Sequence, residues 1–291
     1  MRKIGLAVWL LFLSLLLASC APALPAFQPF ETEDESDSAE SEMGAEQEKI
    51  PTLTLDRRRY SFTGREDAIR VKDDLLTLGQ AGSYRLTGSL TEGGIAVDVG
   101  WDGVVRLILD GVSLSSTGRP VLQVLSAAAV ILESKDGSVN LLHSTAGTAV
   151  SSEGNLLLAG TGSLSVSGAP IALSSAGRLT VESGTVRITA SECGIRADTG
   201  IEILGGEIAI NAARVGLMSE ERVNSSGGIV IRGGFLTAVC AETVLSARTR
   251  ILLTGGIGSF DAPRFYQCQY TENGAPVKGS VLQTGGNFPP L

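Results

Sequence analysis

Histidine is nearly missing from this chain: His143 stands alone among 291 residues. A metal site with two imidazole ligands is therefore excluded, and a Ser-His-Asp triad would have to use His143, which lies in the stretch VNLLHST at an expected coil edge. Aromatic residues make up only 5% of the chain, and Trp101 is the one tryptophan outside the N-terminal leader. It follows Gly100 and precedes Asp102-Gly103, so two readings stand open: packing against the first turns of the fold, or contact with a ligand. Cysteine is scarce as well. After Cys20 come only Cys193, Cys240 and Cys268, an odd number that rules out a disulfide scaffold and leaves a Cys240–Cys268 bridge open. No phosphate loop, dinucleotide fingerprint or Cys-x-x-Cys pair is present.

Excess positive charge is absent too. The net charge is −8, and its distribution is uneven. Residues 31–49 hold nine acids and one lysine, whereas the leader contributes two positive charges, so residues 50–291 are left at −2. Nucleic acid, which is met by a basic stripe, is not an expected partner. No long hydrophobic run occurs either. The apolar segment Ile4–Leu17 falls short of the roughly 20 residues a membrane span needs. Preceded by Arg2 and Lys3, it reads as a secretory leader. Its ending, Leu17-Ala18-Ser19-Cys20, resembles a bacterial lipobox. The expectation is lipidation at Cys20 and an extracytoplasmic, membrane-anchored protein. Residues 21–49, rich in Pro and Ala and then in acids, are expected to form a disordered tether.

What remains, residues 50–291, is rich in Gly, Val, Ile, Leu, Ser and Thr, and it repeats. LTVESGTVRI at 179–188, IEILGGEIAI at 201–210, IVIRGGFLTA at 229–238 and ILLTGGIGSF at 251–260 align without gaps. Gly162, Gly184, Gly206, Gly234 and Gly256 fall in one column with steps of 22, 22, 28 and 22 residues. The long step is one period plus six residues, placed in the polar stretch SEERVNSS. A fixed period in the twenties marks a solenoid. Apolar and polar residues alternate with period two, which means strand, in three short runs per unit. The expected fold is therefore all-β, a right-handed single-stranded parallel β-helix with coils of about 22 residues, capped by residues 50–82 and 260–291.

Three inward stacks are expected: Leu156, Leu179, Ile201, Ile229 and Ile251; Leu164, Val186, Ile208 and Leu236; Val150, Leu173, Ile195, Leu217 and Leu245. The glycine column should mark a backbone at positive φ, where a Cβ would clash. Cys193 should face inward, level with Ile171, Val215 and Thr243. Glu192, Arg214 and Glu242 should share an outward column as an ion ladder. Phe260, Phe265, Tyr266 and Tyr270 should close the last coil. Adjacent acids, the pair that glycoside hydrolysis would need, occur at Asp73-Asp74 and Glu220-Glu221, and both read as solvated. Arg187, Arg196, Arg214 and Arg232 lie on the coils without a dense acid cluster beside them.

The segment 76–116 resembles the entry to a family of exported bacterial β-helix proteins, the carbohydrate-binding domain-containing proteins, typified by a clostridial member associated with cellulose and pectin. The shared pattern is Gly82, Tyr84, Leu86, Gly88 and Leu90, and the likeness runs from about residue 52 to 256. The resemblance implies non-catalytic polysaccharide binding at the cell surface, of an acidic or cell-wall glycan. It implies calcium for some acidic turns, where Glu192 and Asp198 are retained here. The alternatives are an adhesive surface solenoid with a protein partner and, third, a polysaccharide lyase or hydrolase.

Overall fold

A computed structural model describes residues 50–64, 66–145, 147–220, 227–272 and 275–291. Cys20, the tether, Glu221 and the side chain of Tyr270 lie outside the described residues.

Short alternating runs separated by Gly, Ser and Asp cannot continue as one sheet, so each turns a corner and stacks on its counterpart one period later. In the clearest coil these runs are Arg178–Val181, Thr185–Ala190 and Cys193–Ala197. Each pairs in parallel with its successor: Gly200–Ile203, Glu207–Ala212 and Val215–Ser219. Repetition of this unit gives a β-solenoid of about eight turns with three lateral faces, named first, second and third in chain order. The helical content of the described residues is one 3-10 turn, Glu66–Ala68.

The expected stacks are present in register. On the first face Leu156, Leu179, Ile201, Ile229 and Ile251 sit one above another. That column reaches back to Val130 and forward to Val281. Leu164, Val186, Ile208 and Leu236 line the second face. Val150, Leu173, Ile195, Leu217 and Leu245 line the third. Apart from the partly buried Val281, these side chains are buried almost completely, each contributing roughly 1.5–3 kcal/mol. Because Ile201 pairs directly with Ile229, the six extra residues of the long step leave the stack undisturbed.

The glycine column needs one correction. Gly184, Gly206, Gly234 and Gly256 have φ between +81° and +90°, but Gly162 does not, and Gly160 takes the left-handed position with φ +94°. The cause is spacing. Leu156 and Leu179 are 23 residues apart while Gly162 and Gly184 are 22 apart, so this coil has an extra corner residue and its left-handed position moves upstream. Gly162 is required for another reason: a Cβ there would lie 2.2 Å from the Lys135 carbonyl oxygen of the coil below.

The first coils are less regular. A single strand, Gly94–Ser116, bends through all three faces, and Asn140 takes the inward position that precedes Leu164 in the second stack. It is fully buried. Its Oδ1 accepts hydrogen bonds from the backbone N–H groups of Gly111 and Val112, at 3.1 and 3.0 Å, and its Nδ2 donates to Ser138 Oγ and the Ser163 carbonyl. At the N-terminal end, Thr52–Arg57 and Arg59–Thr63 form an antiparallel hairpin whose first strand lies parallel on Gly82–Thr91. At the other end, Phe260 packs against Phe265, Tyr266 and Phe288.

Candidate functional site

The structure scatters most of the residues singled out from sequence. Glu192 and Asp198 flank the strand Cys193–Ala197. An extended strand rises about 3.3 Å per residue, so six positions separate them by roughly 20 Å. The two calcium candidates thus stand at opposite ends of one strand. Each also has an arginine beside it. Arg196 pairs with Glu220 at 2.7 Å and with Asp198 at 3.7 Å, while Glu192 stands next to Arg214, which pairs with Glu242 at 2.9 Å. The three residues share one outward column as expected, but only half of the ion ladder forms: Arg214 pairs with Glu242, which raises the Arg214 pKa, and meets Glu192 through a backbone hydrogen bond. Among the described residues no cluster of three or more His, Cys, Asp or Glu side chains could hold a metal ion.

Asp73 and Asp74 have φ of +52° and +59° and make the tight turn between the strands Ile69–Lys72 and Leu75–Leu78. His143 points outward on the second face, and its Nδ1 lies 2.6 Å from Ser167 Oγ. The three cysteines are free. Cys193 is buried among the inward residues, level with Ile171 and Val215, and desolvation pushes its thiol pKa up to about 12. Cys240 ends a second-face strand, whereas Cys268 pairs with Ala247 at the far end of the third face. A full face thus separates them, which removes the Cys240–Cys268 bridge.

Trp101 is 65% exposed. The corner that carries it is held from within. Gly100 donates its N–H to Ser126 Oγ at 3.0 Å, and Ser126 Oγ donates to Asp98. At Gly103 a Cβ would meet Val99 Cγ2 at 2.6 Å. Of the two readings left open, the structure leaves the indole free for contact rather than packed on the first coil.

The feature not read from sequence is the outer surface of the second face. Three side-chain columns run along it in register. The front column is Ser163, Thr185, Glu207, Phe235 and Ile257. The middle column is Ser165, Arg187, Ala209, Thr237 and Ser259. The back column is Ser167, Thr189, Asn211, Val239 and Asp261. Short side chains in the middle leave a depression of about 310 Å³ over Ala209, bounded by Arg187, Thr189, Asn211, Thr237 and Val239. Phe235 is 57% exposed and Val239 53%, an unusual amount of free apolar surface for strand residues. Arg187 also differs from the other arginines considered. Arg196, Arg214 and Arg232 are paired with carboxylates, whereas Arg187 has one hydrogen bond, to Ser163 Oγ at 3.5 Å. The signal was available in sequence: assigning Leu236 inward makes Phe235, Thr237 and Val239 outward.

Comparison with known proteins supplies the family. The model of the carbohydrate-binding domain-containing protein family matches residues 62–274, nearly the whole described solenoid. The chain belongs to that family. A family relative from Acetivibrio thermocellus, a carbohydrate-binding domain-containing protein, is 32% identical over 76 residues, covering 26% of this chain and 27% of that protein. The chain thus matches about a quarter of the relative's length. A solved structure, described as a polysaccharide lyase-like protein from C. thermocellum, superimposes with a TM-score of 0.73 over 82% of this family member and 99% of that chain. At 20% identity that likeness establishes the solenoid fold.

Proposed function

We propose that this family member is a lipid-anchored surface protein that binds polysaccharide, an acidic or cell-wall glycan, without cleaving it. The observation that carries the reading is the outer second face. Its hydroxyl, amide and guanidinium groups stand in register beside an exposed aromatic side chain, on a rigid sheet. Sugar rings present apolar CH faces and a rim of hydroxyls, and such a surface meets both: aromatic carbon against the ring face, fixed polar groups against the rim. Family membership favours the same ligand class. The non-catalytic reading is supported by the coil carboxylates Glu202, Glu220 and Glu242, which are engaged with arginines. The leader ending in Cys20 and the acidic segment after it support an anchored protein held off the membrane by its tether.

Retention of the full chain on insoluble cellulose, pectin and cell-wall polysaccharide is the direct test. The wild-type chain should be depleted from solution by at least one of them, and Phe235→Ala should reduce that depletion about tenfold, the loss of one ring contact worth roughly 1.4 kcal/mol. No depletion by any of the polymers would refute the reading. So would release of reducing ends or unsaturated uronates, as far as its non-catalytic part is concerned.

A further inference from the structure

The three columns of the second face differ in height, and that difference has a direction. From the coil of Ala209 to the coil of Ile257–Asp261, the middle positions are short: Ala209, Thr237 and Ser259. The front positions beside them are Glu207, Phe235 and Ile257, and the back positions are Asn211, Val239 and Asp261. Short residues flanked by longer ones outline a trough across the strands, parallel to the solenoid axis, and its depression has Ala209 and Thr237 as floor and Thr189, Asn211 and Val239 along the back side. Its walls are four residues apart on each strand, about 13 Å between Cα atoms. The floor spans three coils, about 10 Å at the ordinary interstrand spacing. Beyond Ala209, the middle column continues with Arg187, whose long side chain closes that end.

The walls also change chemistry along the trough. Across Thr237 stand two apolar groups, Phe235 and Val239. Across Ala209 stand two polar ones, Glu207 and Asn211. At the closed end the Arg187 guanidinium has no carboxylate partner among the described residues, and its fork of N–H donors suits a pair of oxygens, whether neighbouring hydroxyls or a carboxylate.

We infer that this trough is a subsite for an extended glycan chain lying parallel to the solenoid axis, one ring per coil, with one ring between Phe235 and Val239, the next over Ala209, and the chain end at Arg187. The inference rests on the reading of the protein as polysaccharide-binding and specifies where and in what direction the chain lies. The coil rise is close to the length of one pyranose in an extended, equatorially linked chain. Successive rings would therefore meet successive coils in step, which is the reason for an axial rather than a transverse path. A transverse chain would have to cross the Phe235 and Val239 walls.

The test uses the full chain, with cellotetraose and tetragalacturonate as probes and titration calorimetry as the readout. Ala209→Trp and Ser259→Trp fill the floor at points two coils apart. Each should weaken the tetrasaccharide bound by wild type by at least tenfold, as should Arg187→Ala. Thr180→Trp, on the outer first face, should not. All four positions point outward, and an unchanged far-UV circular dichroism spectrum checks that each variant folds. If wild type binds and all three second-face variants bind equally well, the subsite is overturned while the polysaccharide-binding reading survives. If Ala209→Trp weakens binding and Ser259→Trp does not, the axial path is overturned. If wild type binds neither probe and is retained by no polymer, the broader reading fails first and takes the subsite with it.

Discussion

Asn140 sits where the pattern calls for an aliphatic side chain. Its column continues into Leu164, Val186 and Ile208, yet an amide is tolerated because four hydrogen bonds satisfy it. Two of those serve the backbone N–H groups of Gly111 and Val112, where the long strand of the second coil bends. Leaving two buried donors unpaired costs more than the amide's own desolvation, since each orphaned group costs about 1–3 kcal/mol. Asn140→Leu restores apolar volume but not the acceptor, so it should destabilise the protein by about 2–4 kcal/mol. The drop should appear in the urea midpoint followed by circular dichroism. A neutral or stabilising outcome would mean that volume, not hydrogen bonding, sets the requirement at this position. Asn140 was not legible beforehand because the repeat aligns cleanly only from Gly162 onward. Arg187 and Phe235 were legible as outward residues, but not as parts of one surface. Their proximity depends on coil stacking, which brings residues 48 positions apart in sequence onto neighbouring parts of one face.

At the scale of the element, the corners decide where one strand stops and the next begins. The strands, the three-stack core and the site of the six-residue insertion are legible in sequence, because period-two alternation and a fixed repeat report directly on side-chain direction. The glycine column points to a single cause in sequence, and the structure separates two. Gly234 combines a φ of +81° with a Cβ position 2.6 Å from the Gly206 carbonyl oxygen. Gly111 has a φ of +72° with open space around it. Both positions carry the left-handed conformation, which costs an L-residue about 1 kcal/mol or somewhat more. Only the first carries the steric clash, because there a carbonyl of the coil below occupies the space. Gly111→Ala should therefore cost about 1 kcal/mol, and Gly234→Ala about 2–4 kcal/mol, the excess being overpacking against backbone that cannot rotate away. Thermal midpoints of the two variants compared side by side would check the ordering. Equal losses would show that backbone conformation alone governs the corners. Spacing arithmetic cannot make this distinction, since it counts residues and does not report which carbonyl lies beneath them.

The described solenoid as a whole is a stack in which each coil touches mainly its two neighbours, so its interior and its ends should respond differently to deletion. Removing residues 179–200 excises one period and brings Leu156 onto Ile201, aliphatic on aliphatic, with Leu164 onto Ile208 and Leu173 onto Leu217. Every strand regains a partner of the same kind. The shortened chain should therefore fold to a soluble β-solenoid, with a β circular dichroism spectrum and a single species in size-exclusion chromatography. The last regular coil is different, because capping strands rather than another complete coil lie on it. Its first-face strand, Arg250–Leu253, is covered by Ser280–Gln283. Its core opening is filled by Phe260 with Tyr266 and Phe288, and the Tyr266 hydroxyl donates to the Pro289 carbonyl at 2.8 Å. Burial raises the Tyr266 pKa to about 12, in keeping with a phenol shut into that closure. Truncation after Ser259 removes this cover and exposes both an unpaired strand edge and the ends of the aliphatic stacks, a template for pairing with another chain. That variant should aggregate during expression or refolding, although it loses only 32 residues against the 22 of the interior deletion. Light scattering on the two variants at equal concentration separates the cases, and a monomeric, soluble truncation would show that the final residues are an appendage rather than a cap.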